Sequence, residues 1–326
     1  MASSNGGIVG VDNPVQIQAE QITTFNASGT LTTQPLTTEI EYLVVAGGGS
    51  GGAQVLGGGG GGGAGGFRTG TGNPVSGNSP YPVTVGGGGA TASTPNAGNA
   101  GSDSVLGTPV PITSTGGGYG GKQNPPATPG TGNVGGNGGS GGGGGSSNAR
   151  DNKGSGNTPP TSPSQGNPGG QGIGDFTFFE VGGGGGGASQ AGDAGSPTVL
   201  ESLDGGDGSP STISGSDVTY AGGGGGSGFY FGAPPPASQK ASGDGGAGGG
   251  GKGGADGAGG IPGGSDSNGV PGTVNLGGGG GGAGPVSGAG GSGIVIVKEA
   301  AKASASGVWD MNALYDNVKA GTWTNA

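Results

Sequence analysis

Residues 40–63 read IEYLVVAGGGSGGAQVLGGGGGGG and contain both kinds of sequence from which the rest of the chain is built. The opening IEYLVV is apolar and rich in β-branched side chains, which predicts a short strand buried on both faces. The glycines that follow have no side chains to bury, so an ordinary hydrophobic core cannot hold them. Outward from this stretch, short apolar pieces and glycine blocks alternate along most of the chain.

Glycine supplies 99 of the 326 residues, whereas hydrophobic residues make up 27% and charged residues only 9%. The glycines form uninterrupted blocks at 57–63, 182–187 and 277–282, which excludes collagen because collagen needs a glycine at every third position. Disordered chains usually carry many more charges than this one. The composition therefore predicts one modest apolar core and a larger ordered framework made of glycine.

A helix of the polyproline-II type explains how glycine blocks form such a framework. It has no internal hydrogen bonds, so its N–H and C=O groups point sideways. When the residues are glycine, neighbouring helices approach closely enough to bond to each other through these groups. The predicted fold class is mainly irregular and β, with a bundle of polyglycine-II helices inserted in a small β-sandwich and a short C-terminal α-helix.

The two strongest strand patterns, at 40–46 and 293–298, flank the glycine-rich region. Because buried strands need partners, we expect these two in the same small sheet or sandwich, beside residues 15–33. Both termini then lie near one end of the molecule. The predicted division is an N-terminal attachment segment at 1–20, a glycine-rich domain at 21–298 and a C-terminal helical attachment segment at 299–326.

The C-terminal segment contains a predicted helix over 307–320, with Ser306 before it and Gly321 after it. A small core cannot cover all the apolar side chains in and just beyond this helix, and exposed apolar surface usually marks an interface. The candidate assembly residues are Trp309, Met311, Leu314, Tyr315 and Trp323.

A second aromatic cluster lies inside the glycine-rich region, at Phe229, Tyr230 and Phe231. Exposed aromatic side chains on a rigid loop suit contact with sugars or protein surfaces, so these three are the candidate receptor contacts. The alternative is that they pack against the outside of the glycine bundle. We expect some of the loops among 122–133, 148–170 and 229–243 to be displayed at the end of the bundle away from the strands.

The residue types needed for catalysis are largely missing. The chain has no His and no Cys, which excludes Ser-His-Asp catalysis and thiolate or imidazole metal sites. The pattern G-x-S-x-G at 48–52 is expected by chance in a chain this rich in glycine. Acidic side chains such as Asp204 and Asp207 fit no calcium-binding frame. We therefore expect no enzyme activity, no cofactor and no metal.

Charge and hydropathy restrict the partners. The net charge is −10 and no basic patch exists, so a nucleic-acid partner is not expected. No stretch approaches the roughly 20 apolar residues that span a bilayer, so membrane insertion is not expected. The N-terminus lacks the basic and apolar regions of a signal peptide, which predicts synthesis in a cytoplasm without export by the usual route.

Five stretches resemble the glycine-rich domains of bacteriophage tail-fibre and related virion proteins. They are EYLVVAGGG at 41–49, GAGGFRTG at 63–70, PVTVG at 82–86, VTYAGGG at 218–224 and GGSGIVIV at 290–297. The same framing is similar to the glycine-rich domain of anaplastic lymphoma kinase receptors, in which polyglycine-II helices are inserted into a β-sandwich. Fibre-tip adhesins of some T-even-type phages also contain polyglycine-II bundles, with host-recognition loops at one end.

The resemblance implies a structural virion protein: a fibre or a tail or head appendage, with loops that bind a host receptor. The implied partners are other virion proteins, further copies of the chain, and a host surface glycan or outer-membrane protein. One alternative is a capsid decoration protein without a receptor role. Ice-binding and extracellular matrix proteins are further alternatives, although ice-binding polyglycine proteins have a regular Gly-X-X repeat that this chain lacks.

Overall fold

The computed structural model describes residues 17–54, 58–123, 134–147, 151–174, 179–195, 203–230, 242–254, 268–303 and 319, with only the backbone of Tyr230. Within these residues the regular structure is mainly β, as the sequence predicts. The predicted helix over 307–320 lies outside the described residues except for Lys319, whose backbone is helical.

The strands are short, and most of them stand at the ends of glycine segments. In chain order they are β1 (Ile17–Gln18), β2 (Gln21–Phe25), β3 (Gly29–Thr32), β4 (Glu39–Val45), β5 (Phe67–Pro74), β6 (Pro80–Thr84), β7 (Ser104–Leu106), β8 (Ile112–Ser114), β9 (Ile173–Gly174), β10 (Phe179–Val181), β11 (Ser209–Ser211), β12 (Val218–Tyr220), β13 (Gly228–Tyr230), β14 (Ile294–Glu299) and β15 (Lys302–Ala303).

Two four-stranded antiparallel sheets form what we call the base. The first has the order β2-β14-β4-β5 and the second β3-β6-β7-β8. In the first sheet Ile294 lies opposite Val45 and Lys298 opposite Glu41, so 40–46 and 293–298 lie in the same sheet, as expected, and are direct neighbours in it. Strand β2 lies on the other side of β14, which agrees with the expected position of part of 15–33.

One apolar cluster lies between the two sheets. Alternate residues of β4 and β14 point into it, namely Val44 from β4 and Val295 and Val297 from β14. The second sheet supplies the facing side chains, among them Leu31 and Leu106. This cluster is the modest core that the composition predicted, and it joins the two sheets face to face.

The other face of β4 and β14 contacts the glycine-rich part of the chain. Leu43 and Val45 of β4 form a second cluster with Ile296 of β14 and with Tyr220 and Ala221, where a glycine segment begins. Both central strands are therefore buried on both faces, as IEYLVV predicts. The base and the glycine segments share this apolar layer.

The glycine segments bond to each other through their backbones, with a repeat of three residues. In segment 46–54, Gly47 and Ser50 donate to the carbonyls of Ser102 and Asn99, three residues apart on one neighbour. Gly48 and Gly51 donate to a second neighbour, at Gly291 and Gly288. Gly49 and Gly52 donate to a third, at Gly63 and Gly60. The predicted backbone hydrogen bonding between glycine blocks is therefore confirmed.

Segment 58–66 lies at the centre of this packing. Its N–H groups donate to three neighbouring segments in turn, and three others donate to its carbonyls. We call the six segments that surround it the inner segments. They are 46–54, 115–123, 138–147, 181–188, 220–227 and 276–284.

At the interior glycine positions of this packing there is no room for a side chain. A Cβ built on Gly61 would stand 2.0 Å from the carbonyl oxygen of Gly224, and one on Gly185 would stand 2.0 Å from that of Gly62. Real Cβ atoms do not approach backbone so closely, so the glycines are required by the distance between neighbouring backbones.

Successive segments run away from the base and back again. Segment 46–54 leaves from β4, and segment 58–66 returns to β5. The small sheet β13-β10-β9 lies at the opposite end, which we call the far end, since β10 begins a returning segment and β9 and β13 each follow an outgoing one.

Part of the stretch 148–170 is not a far-end loop. Its part around Gln165 lies at the base, where the Gln165 backbone carbonyl accepts a hydrogen bond from the Phe67 N–H and its amide oxygen accepts one from the Thr115 N–H. The reason is that 151–157 is itself a returning segment, which brings the chain back to the base before 165–174 leaves again.

Ser104 links the base to the first turn of the glycine region, so its replacement should be costly. Its buried hydroxyl donates to the Val45 carbonyl and accepts from the Gly86 N–H. We expect Ser104→Ala to lower the free energy of unfolding by about 1–3 kcal/mol, because it leaves buried backbone groups unpaired. Urea denaturation measures this, with Ser214→Ala as the matched control, since the Ser214 hydroxyl is in an exposed turn. Equal effects of the two changes would contradict the assignment.

Candidate functional site

The far end of the bundle is the candidate functional site, because the sequence predicted displayed loops there. The antiparallel sheet β13-β10-β9 lies at this end, with Phe179 opposite Tyr230, Glu180 opposite Phe229 and Val181 opposite Gly228. A small apolar cluster of Val181 and Leu203 supports it from below. The strands form here because apolar and aromatic residues replace glycine at the point where the segments end.

The predicted receptor residue Phe229 is not exposed. The residue is only 3% accessible, so it is buried and not displayed as a contact residue would be. A buried ring cannot contact a receptor in this conformation. The Tyr230 side chain and the whole of Phe231 lie outside the described residues, so the contact role remains a prediction for those two.

Charged side chains near the far end hold neighbouring segments together. The Asp204 carboxylate accepts a hydrogen bond of 2.7 Å from the Asp244 N–H, and the Asp244 carboxylate lies 2.9 Å from Lys252 Nζ. The ion pair is solvent-exposed on both sides, so it adds little stability. The Asp204 carboxylate therefore takes the place of a backbone carbonyl as the acceptor of a neighbouring segment's N–H group.

Single serines within glycine blocks are structural residues that the sequence reasoning missed. The Ser227 hydroxyl accepts a 2.8 Å hydrogen bond from the Gly59 N–H, and the Ser50 hydroxyl accepts one of 2.8 Å from the Asn99 N–H. Both serines are fully or almost fully buried. The signal in the sequence was the interruption of a glycine block by one small polar residue.

The candidate assembly residues Trp309, Met311, Leu314, Tyr315 and Trp323 all lie outside the described residues. Among the residues that the structure does describe, no three acidic side chains converge as a metal site would require. In that same part of the chain there is no helix with the length and apolar character needed to cross a bilayer.

Comparison with known families decides which domain this is. A family model described as a glycine-rich domain matches residues 23–299. The chain belongs to the glycine-rich domain family. The match begins in β2 and ends with β14, which pair side by side, so the glycine-rich domain starts and closes in one sheet of the base. A search of curated proteins found no significant match.

Proposed function

We propose that this glycine-rich domain protein is a structural component of a bacteriophage particle, a fibre or a tail or head appendage, without enzyme activity. The observation that carries the proposal is the body itself, in which many glycine segments are held by backbone hydrogen bonds between a two-sheet base and a far end. Such hydrogen bonding suits a body that has to hold its shape outside a cell. The stretches that resemble phage tail-fibre domains, including those around β4 and β14, support the same function.

We propose further that the glycine segments are polyglycine-II helices. Two observations support this. Each segment donates to the same neighbour at every third residue, which is the repeat of a polyproline-II helix, and the central segment has six neighbours with donors and acceptors in alternation. In the same proposal, residues 307–320 form a short α-helix whose apolar side chains attach the protein to other virion proteins or to further copies of itself.

The far end is the proposed presenting end. The described residues that flank 124–133 and 231–241 lie there, at the ends of outgoing segments 115–123 and 220–227. Base and far end are thus separated by the length of the bundle. A host surface glycan or outer-membrane protein is the proposed receptor for residues at this end.

A capsid decoration protein without a receptor role is the second candidate. The burial of Phe229 favours it, because one of the three aromatic residues proposed for receptor contact is not accessible to a receptor.

Deletion of residues 304–326 tests the attachment role. The cut leaves β15 and its pairing with β1 intact, so the base should stay folded. We expect the shortened protein to unfold at the wild-type temperature and to be missing from purified particles. Normal incorporation of the shortened chain would show that the attachment site lies elsewhere.

Replacement of Tyr230 and Phe231 by serine separates the two candidate functions. We expect particles that carry this variant to assemble normally and to adsorb to host cells at least about tenfold more weakly, as loss of aromatic anchors predicts. Unchanged adsorption with normal assembly would favour the decoration role. Phe229 stays unchanged in this experiment, because its burial makes it part of the fold.

A further inference from the structure

The outer layer of the glycine bundle has one position that no described residue occupies, which we call the vacant corner. In a hexagonal packing, each segment next to the centre has one corner neighbour outside it, held between two other outer segments. Five of the inner segments have this neighbour. Each of the five is joined to it by a backbone hydrogen bond, from the N–H of the first residue to the carbonyl of the second: Gly89 to Gly48, Gly154 to Gly142, Gly184 to Asp193, Gly243 to Gly226 and Gly281 to Val270. The corner segments are 86–92, 151–157, 190–195, 242–247 and 268–273.

Segment 115–123 is the inner segment that has no corner neighbour among the described residues. Its N–H groups fall into three sets. Gly117 and Gly120 donate to segment 46–54, and Gly118 and Gly121 donate to segment 138–147. The third set, at 116, 119 and 122, faces the vacant corner.

Only one member of this third set has an acceptor. The Gly116 N–H donates to the Asp103 carboxylate at 2.8 Å, whereas the N–H groups of Tyr119 and Lys122 have none among the described residues. The walls of the vacant corner are the outer segments 96–103 and 134–138, which bond to 115–123 from either side.

Side chains stand where a corner segment would lie. The Tyr119 ring covers the wall formed by 134–138, since a Cβ built on Gly136 would be 2.5 Å from its Cδ1. Lys122 reaches the other wall, where its Nζ lies 3.3 Å from the Pro95 carbonyl oxygen. A further glycine segment requires direct approach of backbone to backbone, so these two side chains and the segment exclude each other.

We propose that the side chains of Tyr119 and Lys122 prevent a glycine-rich strand from a second copy of the chain from binding in this corner. The open corner would offer such a strand three walls, which is what every occupied corner segment has. A strand added elsewhere on the outside of the bundle would meet outer segments only. Unpaired backbone groups beside an open position are a template for pairing with another chain, so the two side chains protect the bundle where its packing would otherwise continue.

The matching partner is chemically defined. It is an extended glycine-rich strand that presents a carbonyl at every third residue to the N–H groups of Tyr119 and Lys122. The chain itself contains many such strands, and a second copy exposes them before it has folded. The proposal depends on the observed backbone bonding and not on a role in a phage particle.

Opening the corner tests the proposal. The double variant Tyr119→Gly, Lys122→Gly is titrated into a fluorescently labelled peptide that copies residues 276–286, LGGGGGGAGPV, and the anisotropy is measured. We expect at least about tenfold tighter binding than by the wild type, because two unpaired N–H groups gain acceptors. A peptide with valine at the positions of 279, 280 and 281 should bind neither protein, since each of its three faces carries a branched side chain.

Two further variants of the chain are measured, one as a control and one as a replacement for the double variant. Lys252→Gly removes an exposed outward side chain from an outer segment and should leave peptide binding at the wild-type level. Tyr119→Ala serves if the double variant does not fold, and it should show an intermediate gain. A folded variant that binds no more tightly than the wild type would overturn the proposal, as would an equal gain in Lys252→Gly.

Discussion

Replacement of Gly62 by valine should prevent folding under conditions in which the wild-type protein is stable. A Cβ at this position would lie 2.1 Å from the Gly49 carbonyl oxygen, and Gly62 sits in the central segment with neighbours on every side. This overlap could be removed only by moving apart segments that are hydrogen-bonded to each other. We expect a loss of at least about 4–5 kcal/mol, which is a large part of the usual stability of a domain.

Gly87→Ala is the matched control for this variant. A Cβ at Gly87 would meet nothing within 4 Å, and the residue is not among those with a left-handed backbone. The change should stabilise the protein by about 0.4–1 kcal/mol through the unfolded chain. Circular dichroism and urea denaturation measure both variants. A Gly62→Val protein that unfolds near the wild-type midpoint would show that the central segment is not packed as described.

Replacement of Leu43 by alanine should weaken the base and the glycine bundle together. Leu43 is fully buried in the layer where β4 and β14 meet Tyr220 and Ala221. We expect a loss of about 2–5 kcal/mol, because the change removes buried methyl groups and leaves a cavity. The matched control is Ile22→Ala, on the edge strand β2, where the side chain is 37% exposed and the loss should stay below about 1 kcal/mol.

Two amide signals show whether the base and the glycine bundle lose stability together. Tryptophan is unsuitable, because both tryptophans lie outside the described residues, so the amide signals of Val295 in the base and Gly224 in the bundle are followed by NMR during urea unfolding. Both should shift to the same lower midpoint in Leu43→Ala. A shift confined to Val295 would mean that the bundle is held without the base.

That the two strongest strand patterns lie together and that the glycine blocks bond to each other could be predicted from the sequence. Residues 40–46 and 293–298 have strand patterns that only mutual burial satisfies, and they pair in the structure. The glycine blocks have no side chains to bury, so their backbone groups had to find partners in each other. Both predictions follow from local composition, because only one arrangement buries the apolar strands and only one pairs the backbone groups of the glycine blocks.

The path of the chain through the bundle could not be predicted. Whether a loop lies at the base or at the far end depends on how many segments precede it, and 151–157 does not look like a separate segment in the sequence. For this reason the sequence could not show which loops among 122–133, 148–170 and 229–243 lie at the far end, or that the stretch around Gln165 lies at the base. The burial of Phe229 was open for a similar reason, since its partner strand β10 is far away in the sequence and pairs with it only because two segments end together.

Native-state hydrogen exchange of the glycine amides tests most directly whether backbone bonds between segments hold this protein together. The amides of Gly62 and Gly224, which lie inside the bundle, should exchange only when the whole domain unfolds, and at the same free energy as the Val295 amide in the base. The Gly215 amide, in an exposed turn, serves as the fast reference. Exchange of Gly62 and Gly224 at a rate close to that of Gly215 would contradict the account, because it would show that the glycine segments are loops without lasting bonds to each other.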